Sequence, residues 1–151
     1  MMKIDFDGVA KQFSTVPLGG FFMSGQESFG LCVGIDDTQR AAVFFPSKGQ
    51  PLQACLYTHS INETLVHYPN AAIRLDPKSA APTGSFPPTL ILAGSNLFIR
   101  AFEKGYNYRT FDVSTGMMNN SVVERETLSF AQWSIGMVVD SKFEKLYSCP
   151  P

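Results

Sequence analysis

In the stretch FGLCVGI, residues 29–35, Phe29, Leu31, Val33 and Ile35 fall on one face and Gly30, Cys32 and Gly34 on the other. A period of two is what a strand with one buried face produces. The polar run DDTQR then turns the chain, Asp36 and Asp37 being suited to bonding nearby backbone amides, and AAVFF returns antiparallel. QACLYTH and AAIRL continue the rhythm to residue 75. It resumes with TLILA, NLFIRAF and YRTFDV, passes a loop around Asn119 and Asn120, and continues with SIGMVVD. SKFEKLY reads as a last strand or a short helix, and the Glu-Thr-Leu segments at 63–65 and 126–128 read as single helical turns.

Between the two runs of strands lies DPKSAAPTGSFPP, residues 76–88, whose prolines deny helix and ladder hydrogen bonds. The pattern predicts an N-terminal unit over 1–76, a linker over 77–85 and a C-terminal unit over 86–151. The flanks share an order of features. AVFFPSKG (42–49) sets against RTFDVSTG (109–116), with Phe44/Phe111, Ser47/Ser114 and Gly49/Gly116 in common. NETLVHYPNAAIRLD (62–76) sets against RETLSFAQWSIGMVVD (125–140). A tandem duplication follows, with each half a small antiparallel barrel or curled sheet of the SH3-like or OB-like kind. One fused β-sandwich is the alternative.

Composition agrees with an all-β chain. Hydrophobic residues make up 44% and charged residues 17% of 151, enough to bury a core. Thirteen Phe and five Tyr, with twelve Gly and ten Pro, suit short strands and turns. The formal net charge of −1 argues against general affinity for nucleic acid, which needs a positive excess to displace counterions. The N-terminal MMKIDFDGVAKQF has Asp5 and Asp7 where a secretory leader needs an apolar run, and TLILAGSNLFI stops at Arg100, too short to cross a bilayer. A cytoplasmic protein without a membrane segment is expected. Cys32, Cys55 and Cys149 are odd in number and lack metal-like spacing, so reduced thiols are expected; a Cys32–Cys55 bridge would need strands that bring them together.

The most metal-like stretch is HSINETLVH, where His59, Glu63 and His67 recur every four residues. On a helix they would share a face and offer a zinc set. Glu63 aligns with Glu126, however, whose neighbours Val122 and Phe130 bind no metal, so a structural role is expected, with no metal and no cofactor. DFDG at 5–8 lacks the remaining ligands of a calcium loop. Neither a G-x-S-x-G elbow, nor an S-x-x-K pair, nor a phosphate-binding glycine loop occurs. Asp36/Asp37 and Glu124/Glu126 are carboxylates adjacent in sequence, which glycosidase chemistry across a cleft does not use. If the chain is an enzyme with a site between its halves, His59, His67, Glu63 and Cys55 are the first residues to test.

The hairpin of residues 97–111 carries the remaining signal. Leu97, Ile99 and Ala101 form a core face, with Phe98, Arg100 and Phe102 opposite; the return strand sets Tyr106 and Tyr108 against Arg109 and Phe111. Phe98, Arg100, Phe102, Tyr108 and Arg109 are therefore the candidate interaction surface. Aromatic and basic residues interleaved on a strand suit single-stranded nucleic acid, with rings for bases and cations for phosphates. They equally suit a protein interface. The charge balance and the lack of a second basic cluster favour a protein partner or self-association, and thus a non-catalytic interaction or assembly module.

Overall fold

The computed structural model describes residues 8–25, 28–83, 89–103, 107–122 and 126–151. Asp5, Asp7, Tyr106, Glu124 and residues 84–85 of the expected linker lie outside them. Among the described residues the chain is all-β, with short 3-10 turns and no α-helix. No helix there is long and apolar enough to cross a membrane.

The strands of the first half are β1 (Val9–Gln12), β2 (Phe21–Met23), β3 (Phe29–Gly34), β4 (Arg40–Phe44), β5 (Ala54–Tyr57), β6 (Thr64–Tyr68) and β7 (Ala72–Leu75). Those that follow are β8 (Ala80–Pro82), β9 (Leu90–Ala93), β10 (Asn96–Glu103), β11 (Asn107–Asp112), β12 (Thr127–Phe130), β13 (Trp133–Val139) and β14 (Lys142–Cys149). They form two sheets, and neither closes into a barrel. The larger runs β1-β6-β2-β3-β4-β5-β10-β9-β12-β8, with β11 on the other edge of β10; the smaller is β14-β13-β7.

Both sheets combine strands from the two sides of the Pro-rich segment. β10 pairs with β5 in parallel, Ala101 with Ala54 and Phe102 with Cys55, while β7 pairs with β13 antiparallel. At eight residues, β10 can serve β9 along Asn96–Ile99 and β5 further on. The segment expected to be a linker is bonded into place. Asp76 Oδ1 accepts from Lys78 N, Ser79 Oγ donates to the Asp76 carbonyl, and Gln132 N donates to Ser79 Oγ. Ala80–Pro82 then pairs with β12 at the sheet edge, where a proline without an N–H is tolerated. The Glu-Thr-Leu segments enter strands at Thr64 and Thr127, with Glu126 itself in a 3-10 turn, and in opposite phase: Leu65 is buried and Leu128 exposed. Phe44 and Phe111, equated by the internal alignment, point to opposite faces of the large sheet. All of SKFEKLY after Ser141 lies in strand β14.

The main core lies between the sheets. Phe29, Leu31, Val33, Val43, Ile99, Ala101 and Phe111 of the large sheet meet Trp133, Ile135 and Met137 of the small one. Phe29 stacks near Phe21, Phe45, Tyr68 and Tyr147, with ring centroids 5.7–6.3 Å apart. Tyr147 Oη donates to the Pro46 carbonyl at 2.7 Å, joining the two layers. Alternation places Cys32 on the opposite face, and that face is covered too. A 3-10 turn (Phe13–Thr15) and Val16 form a strap over it, building a second, smaller core from Phe13, Val16, Phe22, Cys32, Ala42 and Leu65. β3 is therefore buried on both faces along its whole length.

Candidate functional site

Pairing registers align one residue from each of eight strands on the outer face of the large sheet. Val9 pairs with His67, His67 with Phe22, Phe22 with Gly30 and Gly30 with Phe44. Phe44 pairs with Cys55, Cys55 with Phe102 and Phe102 with Tyr108. Cross-strand partners point the same way, so these side chains form one row. The strap covers its middle: Phe22 is fully buried, His67 is 4% exposed, and Phe13 packs edge-on against Phe22 at 5.6 Å. Arg40 holds the strap down, donating to the Val16 carbonyl and, at 2.9 Å, to Cys32 Sγ. Beyond β4 the row opens. Cys55 is exposed, Phe102 half-buried and Tyr108 42% exposed, and the Phe102 and Tyr108 rings meet at 5.6 Å.

Beside the open part lies a cleft of about 530 Å³. The β2–β3 turn supplies Ser24 and Ser28, β4 supplies Phe44, and β5 ends in Tyr57. The connection to β6 adds Ser60, Ile61, Asn62 and Glu63. Phe44 and Tyr57 meet at 6.0 Å and 71°, and Tyr57 and His59 at 5.3 Å and 64°. With Phe13, Phe22 and Phe44 these make a continuous edge-to-face chain of five rings, from beneath the strap to the mouth of the cleft. Each ring's positive edge meets its neighbour's negative face, which fixes the series in place.

The residues singled out in the hairpin divide among three environments. Arg100, Phe102 and Tyr108 share the outer face. Phe98 shares it in register, yet is only 5% exposed, lining a recess with Asn119, Ser121, Val122 and Thr127. Arg109 pairs with Ala101, so it projects to the opposite face, where it forms an ion pair with Glu103 and lies 3.4 Å from Met118 Sδ.

The candidate metal set is dispersed by the strand geometry of β6. Glu63 lines the cleft, His59 packs on Tyr57, and His67 is buried beside the strap. Among the described residues no three His, Cys, Asp or Glu side chains group closely enough to hold a metal ion. Burial lowers the pKa of His67, and the charge of Lys11 lowers it further; among the described residues its Nδ1 has no hydrogen-bond partner. Burial raises the Cys32 thiol against the opposing pull of Arg40, and also raises Cys55, which lines a separate recess with Pro46 and Pro51. All three cysteines are free.

Sequence reading missed the cleft and the row. Alternation in AVFF and QACLYTH does place Phe44, Cys55 and Tyr57 on one face, which is the usable signal. The parallel contact between β5 and β10 joins residues 47 positions apart, Ala54 with Ala101 and Cys55 with Phe102, and leaves no local trace. Compared with family models, with curated proteins and with solved structures, the chain matches none.

Proposed function

We propose that the protein is a non-catalytic binding and assembly module that works through the outer face of its larger sheet, with a second copy of the chain as partner. The carrying observation is the more exposed end of the registered row, Cys55–Phe102–Tyr108, on a sheet whose other face is already filled by the main core. A half-exposed Phe beside an exposed Tyr costs free energy in water and gains it in a contact, and aromatic residues with Arg are enriched in interface cores. Arg100 and Asp112 flank the strip on the same face, giving it both signs of charge. A face with both signs of charge suits a contact between two copies about a two-fold axis, and a net charge of −1 opposes association little.

Single-stranded nucleic acid fits this surface less well. Arg109 turns away into its pair with Glu103, which leaves Arg100 as the cation among the five residues of the strip's original set that faces outward. Sedimentation velocity across a wide concentration range tests the proposal. The native chain is expected to sediment as a dimer at high concentration, and Phe102→Ala as a monomer with unchanged circular dichroism. A native chain that stays monomeric throughout overturns self-association. Tight, salt-dependent binding of an oligonucleotide would replace it with the nucleic-acid reading.

A further inference from the structure

We infer that the cleft between the β2–β3 turn and the β5–β6 connection is a binding site for a neutral saccharide of one or two rings. This goes beyond the protein contact proposed for Phe102 and Tyr108 and does not depend on it, because the cleft uses other side chains.

The lining limits the chemistry of a ligand. Ser24, Ser28 and Ser60 each offer a hydroxyl that donates and accepts, Asn62 offers both functions through one amide, and Glu63 accepts only. A wholly apolar ligand would leave these groups to be desolvated without partners. Among the described residues that line the cleft none is Lys, Arg or His, so a phosphate or carboxylate would meet Glu63 there without a compensating cation. Glu63 is the one carboxylate among the described lining residues, which is too little anionic charge for a divalent metal. What fits is an uncharged molecule with many hydroxyls and an apolar C–H face, and that describes a sugar ring.

The aromatic part of the lining suits the same ligand. Tyr57 is 40% exposed, yet Phe44 on one side and His59 on the other hold it edge-on, so little freedom is lost when a pyranose packs on it. Phe44 and Ile61 supply the apolar floor, and the hydroxyl, amide and carboxylate groups stand around it. The volume of about 530 Å³ lies within the range of small-molecule sites.

The test is a screen of the full chain against a neutral glycan array, followed by calorimetric titration with maltose, cellobiose and N,N′-diacetylchitobiose. Choline chloride serves as a cationic comparison, because Glu63 beside two rings could also attract an ammonium group. At least one neutral sugar is expected to bind, with affinity falling at least about tenfold in Tyr57→Ala. Asn62→Ala and Glu63→Gln, both at exposed positions, should weaken the same sugar without altering the fold. They carry the test if Tyr57→Ala does not fold. Absence of binding by every neutral sugar overturns the proposal, as does choline binding in preference to sugars. Sugar binding that survives the Asn62 and Glu63 changes also overturns it, by placing the ligand elsewhere. Since Phe102→Ala leaves the cleft lining intact, loss of dimerisation and loss of sugar binding are separately readable.

Discussion

Phe22 and Phe44 meet edge to face, 5.7 Å apart at 83°, although they belong to strands that are not neighbours. The strand between them carries Gly30 in the same register, and the two rings close over it. A Cβ on Gly30 would stand 2.9 Å from Phe22 Cζ and 2.8 Å from the Val43 carbonyl. The ring can give way, but the backbone carbonyl cannot do so without disturbing the β3–β4 ladder. Gly30→Ala is therefore expected to destabilise the protein by about 1–3 kcal/mol, the usual cost of overpacking, as read from the urea midpoint. Gly94→Ala is the control. It has φ +61° and nothing near its would-be Cβ, so it measures the cost of a left-handed backbone alone.

The buried imidazole of His67 should impose a pH dependence on stability. Burial, reinforced by Lys11, holds its folded-state pKa below the ordinary value of 6.5. Above that pH the residue is neutral in both states and contributes no slope. As pH falls through 6.5, the unfolded chain takes up a proton that the folded chain refuses, so stability declines until the lower folded-state pKa is passed. Urea midpoints between pH 5 and 8 should fall on the acidic side for the native chain. They should fall less for His67→Leu, which keeps the apolar contacts and removes the titration.

How legible all this was in the sequence depends on the distance over which each feature is decided. The faces of β3 follow from two-residue alternation, and the core membership of Phe29, Leu31, Val33, Ile99 and Ala101 bears that out. The turn at Asp36 was equally local: its Oδ1 accepts from the backbone of Thr38 and Gln39. The strap was not legible, because nothing in FSTV says which sheet face Phe13 and Val16 will cover. Nor was the union of the two halves. It is made by the pairing of β5 with β10 and of β7 with β13, joined by a close contact at Gly116, at φ +73°, whose would-be Cβ lies 2.8 Å from the Cys32 carbonyl and whose own carbonyl accepts from Gly34 N. The halves share short blocks of sequence, but burial phase, which alternation alone leaves undetermined, differs between Leu65 and Leu128.

Thiol chemistry offers a reporter for the outer face. Cys55 is exposed, whereas Cys32 and Cys149 are buried. A disulfide-exchange reagent should titrate one thiol in the native protein and all three after unfolding. Partial burial raises the Cys55 pKa, so the native reaction should be slow at neutral pH and accelerate as the solution becomes alkaline. Because Cys55 lies between Phe44 and Phe102 in the registered row, association through this face should protect it. A labelling rate that falls as protein concentration rises is the expected result. A rate independent of concentration, in a sample shown to be dimeric, would move the contact to another surface.

The two faces of the large sheet should also respond differently to loss of a ring. Phe29 is 3% exposed and packs among Phe21, Phe45, Tyr68 and Tyr147, so Phe29→Ala should cost about 3–5 kcal/mol through lost transfer energy and the cavity left behind. Phe102 is half-buried, and its ring lies against Tyr108, which is itself 42% exposed. Truncation there removes less buried area and lets water fill the gap, so Phe102→Ala should cost about 1–2 kcal/mol in the monomer. Chemical denaturation at low protein concentration, where association is suppressed, measures both values. Repeated at high concentration, it should stabilise the native chain and leave Phe102→Ala unchanged, since a partner that binds only the folded state raises stability by mass action. If Phe102→Ala instead costs as much as Phe29→Ala at low concentration, the ring belongs to the fold of the monomer, and the open end of the row is not a docking surface.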